Sequence, residues 1–266
     1  MGTSALSDRA NGADYLRIAL NLAGAVGQIA IGYFANVGAV SDEFRSPIVP
    51  AGYAFAIWGP IFLLLLMYAI YQAKPGRAAD PMLRSIGWFT GLAMVGDTVW
   101  TWVFTQRFFI PAQVLIFLIG ACAIVALLRY ANWFSTHIPT TFEQWVIGPA
   151  VGLLAGWLTA AMFVGLAGTL ISQGAAATGP AAEIGGAGLL LFAAGVAAAV
   201  LVRAATGPRT AWVACGIAVI WAGIGVIVAH FERSMIVGWM TVLIIAVVVG
   251  LLALLTQQPR SAAVAA

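Results

Sequence analysis

Charge is what this sequence has least of. Twelve Lys or Arg and nine Asp or Glu in 266 residues leave it 8% charged, where a soluble globular domain carries about 25%. So few ionic side chains cannot cover a water-facing surface of this size, which excludes a soluble enzyme as the first reading. Disorder is excluded as well, because it needs low hydrophobicity and high charge, and 62% of these residues are hydrophobic. The net charge is +3 and the cations are scattered, so nucleic-acid binding has no electrostatic footprint. Cysteine is scarce too: Cys122 and Cys215 each sit in an apolar run. Without a CxxC or Cys/His spacing they read as small apolar fillers, not as a metal site or a disulfide. Of the two histidines, His137 falls in a loop and His230 at the end of an apolar run beside Glu232; a solvated cap is the favoured reading over a haem ligand. No Ser/His/Asp arrangement, paired buried carboxylates, HExxH or P-loop is present, so no catalytic chemistry is supported.

What the chain has in abundance is long apolar runs. Eight are about 20 residues or longer, the length that crosses a bilayer: 15–38, 50–73, 84–106, 109–130, 143–171, 184–204, 210–230 and 235–256. Proline or charge marks most breaks between them. The runs are continuous and do not alternate with period two, so the expected fold is an all-α, polytopic membrane bundle of about eight helices, not a barrel. The first run is about twice the length of a signal-peptide core and follows an acidic segment, so it reads as a true span. The cations orient the bundle. Arg9, Arg17, Lys74, Arg77, Arg84, Arg129, Arg203, Arg209 and Arg260 fall on one side; Arg45, Arg107 and Arg233 fall on the other. By the positive-inside rule both termini, tails 1–14 and 257–266, are cytoplasmic, in a plasma membrane that would be a bacterial inner membrane.

Eight of the nine acids lie near run ends or in loops. Asp97 lies in the middle of the third run. A carboxylate there costs about 2.5–3.5 kcal/mol on insertion scales and marks a candidate functional site. Either it carries its proton, hydrogen-bonded to a neighbouring helix as glue, or it faces a polar cavity. Trp100, Thr101 and Phe104 follow at i+3, i+4 and i+7, on the same helix face. One carboxyl, one indole, one hydroxyl and aromatic walls suit a planar, partly polar ligand, and helix packing is the plainer alternative. The second run opens PAGYAFAIWGPIF. Tyr53 and Phe55 lie at the interface, where Tyr53 also reads as a belt anchor, and Trp58 lies one turn deeper. Pro60 in the second or third turn should kink the helix and open a pocket near the outer face. In the fifth run Gly148, Gly152, Gly156 and Ala160 repeat every four residues, a small-residue seam for close helix approach. Asn21 and Gln28 share a face of the first run, where they could line a cavity or bond across helices; Asn36 follows on the same run.

Three stretches resemble the TspO/MBR family, the tryptophan-rich sensory proteins that include the mitochondrial translocator protein. The second run is similar through Pro50, Tyr53, Phe55, Trp58 and Tyr68. The third, DTVWTWVF, is similar through Trp100 and Phe104, and the fifth through Pro149, Trp157 and Ala161. The resemblance covers residues 15–171 as a five-helix core and leaves 184–256 as a three-helix extension, as in longer members, where WAGIG at 221–225 also looks similar. Two positions depart from the pattern: Asp97 stands where the family has Asn, and Gly165 where an Asn follows Leu. No cholesterol-recognition motif follows the fifth run, although Leu66, Tyr71 and Lys74 form a loose match in the second. The resemblance implies binding of a hydrophobic, planar molecule within the bundle, a porphyrin, haem or sterol-like lipid, with Trp58, Trp100 and Trp157 in the pocket. It implies no required cofactor, no metal, and no enzyme activity beyond porphyrin photochemistry.

The first functional expectation is therefore a membrane binding and sensory protein with its pocket between spans one, two, three and five. A proton-linked transporter using Asp97 is the alternative. A scaffold forming a homodimer through the glycine seam is a third.

Overall fold

The computed structural model describes residues 9–257, except Asn36 and the side chains of Tyr33 and Phe34. Asp8, Arg260 and most of the two tails lie outside the described residues. Among those described the chain is helical throughout: α1 Gly12–Phe34, α2 Val37–Glu43, α3 Trp58–Gln72, α4 Pro81–Thr105, α5 Phe109–Trp133, α6 Gly148–Ser172, α7 Pro180–Ala204, α8 Arg209–His230 and α9 Met235–Gln257. Eight of these are long and correspond in order to the eight apolar runs. Seven are apolar and long enough to cross a membrane by length and composition. The eighth, α4, is diluted by Arg84, Asp97 and its threonines. The protein is a polytopic helical membrane bundle.

Local chemistry sets several helix starts. Asn11 and Asp14 form a capping box at α1, each side chain accepting from the other's backbone N–H. Asp80 caps α4 by accepting from the N–H groups of Met82 and Leu83, at 3.0 and 3.3 Å, ahead of Pro81, whose missing N–H costs nothing there. Pro60 does not act as the sequence suggested. Gly52–Ile57 winds as a 3₁₀ helix and the α-helix begins only at Trp58. Pro60 therefore sits in the first turn of α3, where no backbone bond is lost. The break falls at the change of helix type just before it.

The eight helices share one hydrophobic core that runs from Ala25 in α1 to Leu255 in α9. Helix α1 packs on α4, α4 on α5, α5 on α6, and α6 on α8. The α6–α8 contact is made by the seam. A Cβ added at Gly152 would fall on the Ala211 carbonyl oxygen, and one at Gly156 on that of Cys215. The seam is thus filled by the chain's own α8, which brings Ala211, Ala214, Cys215 and Ala218 to it. This corrects the scaffold expectation: Gly152 and Gly156 are buried inside the bundle and present no surface to a second copy. Cys215 is buried in the same contact, and Cys122 is free and half-buried.

Candidate functional site

Beside the seam and farther along α6 the bundle does not close. A cavity of about 550 Å³ lies between α1, the α2 segment, α3, α4, α5, α6 and α8. That volume is in the range of small-molecule sites. Its lining includes Phe55, Trp58, Asp97, Trp100, Thr101, Phe104, Trp157, Ala160 and Ala161. Seven of the eight residues singled out as ligand contacts thus meet in one space. Tyr53 is the exception. It is 45% exposed and stands edge-on to Trp221, ring centres 5.7 Å apart, outside the cavity; the belt-anchor alternative fits its place better. Ala160, assigned to the seam, also lines the cavity.

The aromatic walls are built from pairs. Trp100 stacks on Phe104 at 5.0 Å, one helical turn apart on α4. Trp58 stacks on Phe62 at 5.0 Å and meets Trp157 edge-on at 6.2 Å; Phe55 meets the other side of Trp157 at 5.6 Å. The 3₁₀ segment makes this possible by carrying Phe55 round to the same side as Trp58.

Polar groups are few and open. Asp97 is 5% exposed and lines the cavity, yet no hydrogen bond or ion pair joins its carboxyl to any other described residue. This removes the glue alternative and leaves the cavity-facing one. Asn21 and Gln28 divide the two roles open to them. Asn21 donates to the carbonyl oxygens of Gly87 and Arg17, at 2.7 and 2.8 Å, and accepts from Thr90 Oγ1 at 2.7 Å. Tyr68 joins this network through Thr90 at 3.0 Å. Gln28 lines the cavity, its Nε2 buried and without a partner among the described residues.

Several contributors were not visible in the sequence reading. Helix α2, through Ser41 and Asp42, and the two residues after it, Phe44 and Arg45, form the mouth. There Arg45 pairs with Asp42 at 2.6 Å, and Arg107 in the α4–α5 turn forms a bidentate pair with Glu43. The Arg107 guanidinium holds the Glu43 carboxyl below its ordinary value of 4.5. Seven residues are too short for a periodicity signal, so most of α2 fell in the break between the first two runs. Gln113 of α5 was missed as well. Its Oε1 lies 3.0 Å from where a Cβ on Gly165 would stand, and its Nε2 donates to the Met162 carbonyl at 3.0 Å. An amide from α5 thus occupies the space beside Gly165 in which the resemblance led us to look for one on α6. Ala222 of α8 completes the wall, so the C-terminal helices take part in the site. Arg17, counted only as an end cation, is fully buried, and its Nη2 donates to the Ala78 carbonyl at 2.6 Å.

Neither histidine lines the cavity. His230 is buried, not solvated as anticipated: its Nε2 pairs with the Val49 carbonyl at 2.8 Å, tying the segment before α3 to α8. His137 is exposed and stacks on Trp133. In the loose sterol pattern, Tyr71 is stacked on Phe142 inside the bundle, with its hydroxyl donating to Glu143 at 3.4 Å. Its ring faces no lipid.

A membrane bundle with an aromatic cavity in one half is the class these features define. The family described as TSPO-like protein matches the chain over residues 16–255, and the chain belongs to that family. The match runs through α7, α8 and α9 as well as the first six helices. No curated protein and no solved structure matches.

Proposed function

We propose that the protein is a TspO-type binding and sensory protein that holds a hydrophobic, planar molecule, a porphyrin, haem or sterol-like lipid, in the cavity between α1, α3, α4 and α6. The observation that carries this reading is the convergence of Trp58, Trp100 and Trp157, from three separate helices, on one space of about 550 Å³. Aromatic stripes on a single helix are usually packing. Here Trp58 and Trp157 meet edge-on, yet both also border the open space that Trp100 lines from α4, and offset rings suit a flat conjugated ligand. The distribution of cations supports both termini being cytoplasmic, since Arg17, Arg77, Arg84 and Arg129 gather at one end of the bundle and Arg45 and Arg107 at the other. The mouth then faces away from the cytoplasm of a bacterial inner membrane.

Protoporphyrin added to the purified protein should shift its Soret band and quench tryptophan emission. Trp58→Ala and Trp100→Ala should each remove most of both signals; unchanged signals in both variants would contradict this site.

A proton-linked transporter is the second reading, and it draws on the unpartnered carboxyl of Asp97. It has less support, because Asp97 stands without a second interior titratable group among the described lining residues. Loss of pH-driven uptake into proteoliposomes in Asp97→Asn would favour it.

A further inference from the structure

We propose that the cavity selects an organic cation, a protonated or quaternary amine on an apolar or aromatic body, with Asp97 as its counter-ion. The inference rests on the reading of the cavity as a ligand site and adds the charge of what enters it.

Three lining residues are ionisable: Asp42, Arg45 and Asp97. Asp42 and Arg45 neutralise each other at the mouth, where both side chains reach water. Glu43 and Arg107 neutralise each other beside it, outside the lining. Asp97 lies deeper, and no Lys, Arg or His among the described lining residues approaches it. Its carboxyl opens on the cavity, so a positive group can reach it only with the ligand. Burying an unpaired carboxylate is costly, and an incoming cation relieves that cost at the moment of binding.

The walls favour the same charge. Trp58, Trp100, Trp157, Phe55 and Phe104 line the same space, and an aromatic ring that turns its face to a cation attracts it through its quadrupole, most strongly where water is excluded. Gln28 and Thr101 add neutral polar groups beside them. The arrangement differs from one with an amide at position 97. An amide would serve a neutral donor or acceptor, whereas an acid among indoles discriminates by charge.

The test is a matched pair of tritiated probes, 1-naphthylmethyl-trimethylammonium and its uncharged carbon isostere 1-neopentylnaphthalene. Binding is measured on the full chain in phosphatidylglycerol nanodiscs, which offer no ammonium headgroup, and corrected for uptake by empty discs. The cation should bind at least about tenfold more tightly than the isostere. Asp97→Asn should remove that preference while leaving the isostere's affinity within about twofold. Trp100→Leu should weaken the cation more than the isostere, a second readout should the first variant fold poorly. Repeating the titration in phosphatidylcholine nanodiscs separates two sources of the same chemistry: weakened probe binding assigns the site to a choline headgroup, and unchanged binding to a free amine. Equal binding of the two probes, or a preference that survives in Asp97→Asn, overturns the proposal. Protoporphyrin distinguishes the two levels of failure. If it binds and the cation does not, the cavity stands and its charge selectivity falls; if nothing binds, both fall.

Discussion

Asn21 and Gln28 stand two helical turns apart on the same face of α1, yet they end in opposite states. Asn21 is closed in: it donates to the carbonyls of Gly87 and Arg17 and accepts from Thr90, which is bonded in turn to Tyr68. Gln28 opens on empty space, as Asp97 does on the facing helix. Helix α6 shows the same division along its length, with Gly152 and Gly156 pressed onto α8 and Ala160 and Ala161 lining the cavity. At the α6–α8 seam small residues are spent on backbone contact, and the bonds of the Asn21 amide are made, although Arg17, Gln72 and Trp212 keep buried polar atoms without partners among the described residues. The part between α1, α3, α4 and α6 differs in kind, because its open groups, the Asp97 carboxyl and the Gln28 amide, border empty space. Buried polar groups are ordinarily paired. A carboxyl and an amide left open on one cavity mark that side of the bundle as the part built for something else.

The largest way to break this comparison is to disturb the closed side. Gly152→Leu should abolish folding or remove several degrees of thermal stability, because the obstacle is the Ala211 backbone, which cannot rotate away. A melting curve in detergent checks it. Survival of Gly152→Leu with native stability would mean that α6 and α8 are not in contact as described. Asn21→Leu should cost about 1–3 kcal/mol, since the partners of its amide are left buried and unpaired. Asp97→Asn is the matching change on the open side and should leave the melting temperature unchanged or raised. A loss as large as that of Asn21→Leu would reveal a protein partner for Asp97 and close the comparison. The smallest effect belongs to the mouth. Arg107 holds the Glu43 carboxyl below its ordinary value, so that pair contributes above about pH 4.5 and is lost as the pH falls through the lowered value. In Glu43→Gln this acid-side decline in stability should flatten slightly, as expected for an exposed pair.

Much of this organisation was legible in the chain. The eight runs matched the eight long helices within a few residues, because bilayer-crossing length and continuous apolarity leave few alternatives. The face shared by Asp97, Trp100, Thr101 and Phe104 followed from helical spacing alone. The reach of Trp58 and Trp157 into the same space did not; the resemblance supplied it. Three features were misread for related reasons. Pro60 was placed in a second or third turn because a 3₁₀ start cannot be told from an α start by composition. The glycine seam was read as a place of close helix approach, and only the third expectation extended it to a second copy, because spacing does not report whose helix approaches. His230 was read as solvated because its acceptor, the Val49 carbonyl, is 181 residues away in sequence. Gln113 beside Gly165 is a non-local substitution of the same kind: a missing amide on one helix is answered in space by another helix.

The central claim is that the open side of α6 is the ligand site, and filling it tests this most directly. Ala161→Trp places a large apolar side chain in the cavity without touching the α8 contact. The protein should keep its melting temperature or gain a little, and the protoporphyrin Soret shift should disappear. A folded Ala161→Trp variant that binds protoporphyrin as the parent does would contradict the account.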